Sequence, residues 1–149
     1  MKYYDIEQLK YYDTDDLTIT IQKRGYARKE FDRLYQERIK QKINDKLEGT
    51  PFKVAYRTRN EFLLYVVNNL PYNKDEKGGA LKEDYVIQRA LDEITSMKIL
   101  SRIEGDKRSI GNLLQDLQQV IDESYPASNK KLVQMAETLQ DKQFVSYWT

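Results

Sequence analysis

Histidine and cysteine are both absent from this 149-residue chain, and that decides what its other side chains can do. Without histidine there is no ordinary general base or imidazole metal ligand. Serine–histidine and cysteine–histidine nucleophile systems are therefore excluded within the chain. Without cysteine there is no disulfide framework and no thiolate zinc site. The 24 Asp and Glu leave carboxylate pairs chemically possible, but in a chain with 33% charged residues they read as solvated surface. Gly25, Gly49, Gly78, Gly79, Gly105 and Gly111 have neither P-loop nor Gly-x-Gly-x-x-Gly spacing. The sequence therefore reads as a non-enzyme on its own: no catalytic residue, no metal site, no resident cofactor.

The net charge of +1 is unevenly spread. Residues 22–59 carry 12 basic and 5 acidic groups, a surplus of seven, while the segments on either side are each at −3. A basic middle suits phosphates, either of a nucleic acid or of a nucleotide. Arg28, Lys29, Arg33, Arg38, Lys42 and Lys46 are its candidate nucleic-acid contacts. Leu17–Gln22, Gly25 and Ala27–Tyr35 roughly fit a helix, a turn and a recognition helix, with Arg28, Lys29 and Arg33 where base and phosphate contacts fall. Two features oppose that fit: Thr18-Ile19-Thr20-Ile21 is poor helix material, and the second helix looks unusually long. Arg38, Lys42 and Lys46 recur every four residues, either to meet phosphates or to pair with neighbouring Glu and Asp. Twelve tyrosines supply amphipathic contact area of the kind found at interfaces.

The elements that must position these groups are mainly helical, and the length fits a single domain over residues 1–149. A short helix is expected at 3–13. Alternation and β-branching predict a short strand near 17–22. Phe31, Leu34, Tyr35, Ile39, Ile43 and Leu47 predict one long helix over 27–48, closed by Gly49 and Pro51. A second short extended piece is expected near 52–56. Thr58 and Glu61 have the capping-box form and predict a helix from Arg59 to Leu70. Residues 71–81 read as a flexible loop. Helices follow from Lys82 to about Ile103, with Tyr85 and Met97 among the inward positions, then from a Ser109 cap and from a Ser128 cap. The apolar tail Phe144–Trp148 is expected to dock on the core. The fold class is thus a mainly α bundle of four to five helices with one or two short strands. No leader of 7–15 apolar residues follows Met1-Lys2-Tyr3-Tyr4-Asp5, and no run approaches the roughly 18 apolar residues of a membrane span, so a cytoplasmic location is expected.

Four stretches carry a resemblance: PFKVAYRTRNEFLLYVVNN (51–69), ALDEITSMKILSRIEGDKRSIGNLLQDL (90–117), YPASNKKLVQMAETLQ (125–140) and FVSYW (144–148). In their order and spacing they resemble the helical lid that follows the ATPase core in McrB-type AAA+ proteins, the nucleotide-hydrolysing subunits of modification-dependent restriction systems. The resemblance covers about two thirds of the chain. Leu100-Ser101-Arg102 departs from the usual Leu-Pro-Arg, residues 1–50 match weakly, and the Walker segments are absent.

The resemblance implies a lid and C-terminal module over 51–149 that closes on nucleotide held by a core elsewhere and packs on neighbouring subunits. GTP or ATP would bind only with such a core. A fixed guanidinium offsets charge on a transferring phosphoryl group. The resemblance gives that sensor role to Arg57, or to its neighbour Arg59. Two alternatives stand beside it: a small nucleic-acid-binding regulator of a phage or mobile element, and a protein-interaction adaptor or inhibitor that imitates a lid.

Overall fold

The structure is a computed structural model and describes residues 15–54 and 56–148; the helix expected at 3–13 lies outside them. Among the described residues there are six α-helices: α1 (Asp15–Lys23), α2 (Arg28–Tyr35), α3 (Tyr56–Asn69), α4 (Glu83–Lys98), α5 (Lys107–Val120) and α6 (Pro126–Lys142). Strands β1 (Glu104–Asp106) and β2 (Phe144–Ser146) form an antiparallel pair, with Glu104 opposite Ser146 and Asp106 opposite Phe144. The chain is mainly α, as its periodicities predict. One buried cluster runs from Leu17 to Val145.

Neither strand lies where the sequence predicts one. Residues 17–22 are helical, because Leu17 and Ile21 sit one turn apart on the same face and both are fully buried. Burying two such side chains contributes about 1.5–3 kcal/mol each. The helix-propensity deficit of Thr18, Ile19 and Thr20 is only some tenths of a kcal/mol each. Tertiary burial therefore wins. Gly25, at φ +87°, ends α1: the Tyr26 amide donates to the Ile21 carbonyl and the Gly25 amide to that of Gln22, the two bonds of a Schellman cap.

The predicted strand at 52–56 is displaced by a side-chain clamp. The buried Asn44 amide accepts from the Val54 amide (2.7 Å) and donates to the Val54 carbonyl (3.4 Å). Val54 thus has both backbone groups satisfied without a strand partner, and α3 starts at Tyr56, before the predicted Thr58 cap.

The long helix expected over 27–48 is broken. After α2 the backbone widens into a π segment (Gln36–Lys40), passes through a turn and tightens into a 3-10 turn (Asn44–Leu47). Tyr35, Ile39, Ile43 and Leu47 are spaced by four, and each step overshoots the helical repeat by about 40°. A continuous α-helix would swing this row off the core. The wider segment keeps all four buried.

The later helices hold with shifted ends. α4 stops at Lys98, where a 3-10 turn (Leu100–Arg102) leads into β1, and its Tyr85 and Met97 face outward rather than inward (57% and 47% exposed). Asp106, not Ser109, caps α5: its carboxylate accepts from the Ser109 amide (2.8 Å) while the Ser109 hydroxyl accepts from the Asp106 amide. α6 begins at Pro126 rather than at Ser128, with the ring at a first-turn position that has no use for an N–H. Residues 71–82 hold a tight turn, with Asp75 accepting from the Lys77 and Gly79 amides (both 2.8 Å) and Lys74 bridging Ala80. The tail docks only in part. Val145 is buried and the Tyr147 hydroxyl meets that of Ser96 (3.0 Å), but Phe144 and Trp148 point outward (52% and 77% exposed).

The two halves of the chain meet at the turn before α6. Asp92 of α4 is buried, and its two carboxylate oxygens accept from the Ala127 and Ser128 amides (both 2.8 Å), capping α6 from another helix. The Ser128 hydroxyl returns a bond to the Asp92 carbonyl (2.9 Å). In the same turn the buried Tyr125 hydroxyl donates to the Arg38 carbonyl of the π segment (2.8 Å). Burial raises the Tyr125 phenol above its usual range, so it stays a neutral donor. Replacing Asp92 with Ala leaves the buried Ser128 amide and the neighbouring Ala127 amide without their partner. We expect a loss of about 2–4 kcal/mol in unfolding free energy, with a matching fall in the urea midpoint.

Candidate functional site

A cleft of about 420 Å³ lies between α2, the π segment, the connection before α3 and the first turns of α3. Its cationic lining comes from three places: Lys40 at the end of the π segment, Lys53 in the connection before α3, and Arg59 in the first turns of α3. Asp32 of α2, Tyr35, Gln36, Asn44 and Val54 complete the wall. The Asn44–Val54 clamp fixes the floor, because it ties the 3-10 turn to the segment that enters α3.

Charge in and around the cleft is positive. Lys40 pairs with Asp45 (3.5 Å) and Lys53 with Glu48, but both lysines and their partners are about half exposed, so these pairs are weak. Asp32 is held by Arg28 (3.0 Å) on one side of the wall. The first turn of α3 contains no acidic residue. A helix start ordinarily favours carboxylates there, and cations oppose the dipole by about 0.3–1 kcal/mol each. The three cations in the lining, Lys40, Lys53 and Arg59, suit a bound anion such as a phosphate group.

Tyr35 closes the inner side. Burial pushes its phenol up to about 12, with the Arg59 guanidinium pulling the other way. The raised value favours the folded state below the unfolded pKa of 10.0, and the contribution is lost as pH rises through 10 toward 12. A spectrophotometric titration of the native protein should therefore show one tyrosine ionising near 12. Tyr35→Phe should delete that component and soften the loss of stability above pH 10.

The candidate residues separate into different surroundings. Arg57 is the second residue of α3, inside the helix rather than ahead of it. Arg59 reaches the cleft and donates to Asn60 (3.3 Å). Arg28 is spent internally: it joins α1 through Thr18 (3.1 Å), α2 through Asp32 and α3 through the buried Asn60 (3.0 Å). Arg38 crosses to α4, donating to Gln88 (3.0 Å) and meeting Asp84 (3.5 Å). Lys29 and Arg33 are exposed on α2. Lys42 and Lys46 are exposed too, but with Arg38 they form no row on one helix, because the backbone between them changes from π segment to turn to 3-10 turn. Sequence reasoning missed Lys40, Lys53, Asn44 and Tyr35 as neighbours of Arg59. Their convergence depends on the break in the expected long helix, which no local signal announces. Among the described residues no acidic cluster is placed to hold a metal ion, and no helix is long and apolar enough to cross a membrane.

A family model described as a domain of unknown function (DUF8727) matches residues 10–144. No curated protein and no solved structure matches the chain.

Proposed function

The chain belongs to the DUF8727 family, and we propose that it is a non-catalytic, cytoplasmic helical lid module of an AAA+ NTPase of the McrB-like restriction type. It closes over GTP or ATP bound by a core on another segment or chain, and packs against that core or a neighbouring subunit. The observation that carries this reading is the basic cleft before α3, where Arg59, Lys40 and Lys53 surround a space large enough for phosphate groups. The resemblance of residues 51–148 to such lids supplies the partner. The absence of histidine, cysteine and a phosphate loop from the sequence fits a part that completes a site rather than one that contains it.

In this reading the chemistry is electrostatic. Charge spreads over the phosphoryl oxygens in the transition state, and a guanidinium held beside them lowers the barrier without transferring a proton. Arg57 and Arg59 are the residues to lend it. Arg59 is half-buried and braced by Asn60, which keeps its planar donors oriented. Lys40 and Lys53 add charge that draws the nucleotide in.

The test is turnover with and without a core. The purified chain alone should hydrolyse neither GTP nor ATP above background. Co-expressed with a P-loop NTPase core of the McrB type, the chain should co-purify and change that enzyme's turnover. Arg57→Ala or Arg59→Ala should cut the turnover of the assembly by about 100-fold or more while leaving assembly intact. Enzyme-like hydrolysis by the chain alone overturns the reading. A partner whose turnover falls on binding the chain marks it instead as an inhibitor that imitates a lid.

A further inference from the structure

The first helices form a second basic surface, whose exposed cations Lys29 and Arg33 do not line the cleft. α1 and α2 are joined by four residues, 24–27, with the Gly25 cap fixing the turn, and both pack on α3. This is a helix–turn–helix order with a third supporting helix. Neither feature that opposed it in the sequence survives, because residues 17–22 are helical and α2 is an α-helix of eight residues rather than 22.

The charge on α2 is sorted by side. Phe31 and Tyr35 are buried against the core. At 100° per residue, Lys29 and Arg33 fall on the opposite side, about 40° apart. Both are exposed, and neither has an ion-pair or hydrogen-bond partner among the described residues. The carboxylates beside them are occupied: Glu30 accepts from the Ala27 amide (3.0 Å) and Asp32 holds Arg28. Glu37, one turn beyond Arg33, is the acidic group left on this side. Exposed Lys23 ends α1 and exposed Arg24 opens the turn, so with Lys29 and Arg33 this unit presents four exposed cations.

We propose that this unit binds duplex DNA, with the outer side of α2 in the major groove and Lys29 and Arg33 on phosphates or base edges. The eight residues of α2 span about 12 Å, and a B-form major groove about 12 Å wide admits a helix. Double-stranded RNA is disfavoured because its major groove is too narrow and deep for side chains to read. Arg28 has no direct part: it ties α1, α2 and α3 into the rigid body that presents α2.

Fluorescence anisotropy of the full chain with a labelled duplex of about 20 bp and mixed sequence, at about 50 and 200 mM salt, tests this. Affinity should fall steeply as salt rises. The double variant Lys29→Ala/Arg33→Ala should bind about 10-fold more weakly or worse and lower the salt slope by about two. Lys130→Ala/Lys142→Ala, exposed cations on α6, should bind as the parent does. Circular dichroism should show all three proteins equally helical. The proposal is overturned by any of three results: no duplex binding at the lower salt, equal weakening in the α6 control, or tighter binding to single-stranded DNA or duplex RNA of the same sequence. None of these readouts depends on nucleotide turnover, so they stand apart from the lid reading.

Discussion

The buried Asp92 carboxylate is the constraint around which the helices arrange. A carboxylate taken out of water must be hydrogen-bonded, and the two α6 amides supply that need from a second element. The bond set fixes where α6 starts and how it leaves α4. α6 then packs on α5, and the chain after it returns as β2 to pair with β1. The same turn reaches the first half of the chain through Tyr125 and the Arg38 carbonyl. One junction thereby couples the α4–α6 half to the π segment that borders the cleft.

The cleft depends on a different kind of accommodation. A row of apolar residues spaced by four cannot stay on one side of an α-helix, and the chain resolves this by changing its winding rather than exposing Ile39 or Ile43. That change carries Lys40 and Asn44 to the entrance of α3, where the Asn44 amide replaces a strand partner for Val54. The basic cleft is thus a product of core packing, and its charge is cheap to hold because Lys40 and Lys53 keep about half of their side-chain surface in solvent.

The two basic surfaces share the Arg28 network but not their exposed groups. Arg28 braces both α2 and, through Asn60, the start of α3, so removing it would disturb the helix pair and the cleft together. Lys29 and Arg33 can be altered without touching that network, as can Lys40 and Lys53. This separation lets the two proposed roles be examined one at a time.

By itself the sequence determined the mainly helical class, from apolar spacings of three and four in α4, α5 and α6, and its lack of histidine and cysteine excluded serine–histidine and cysteine–histidine nucleophile systems within the chain. It also marked the basic segment 22–59. Those properties rest on composition and on neighbours one turn apart, which are legible locally. Only the tertiary structure decided that residues 17–22 are a helix, that the long helix breaks, that Arg28 faces inward while Lys29 and Arg33 face outward, and that Lys40 and Lys53 converge on Arg59. Asp92 capping α6 across 35 residues belongs with these. Each is settled by burial or a hydrogen bond between distant segments, and those energies of one to a few kcal/mol exceed the tenths of a kcal/mol by which local propensity speaks.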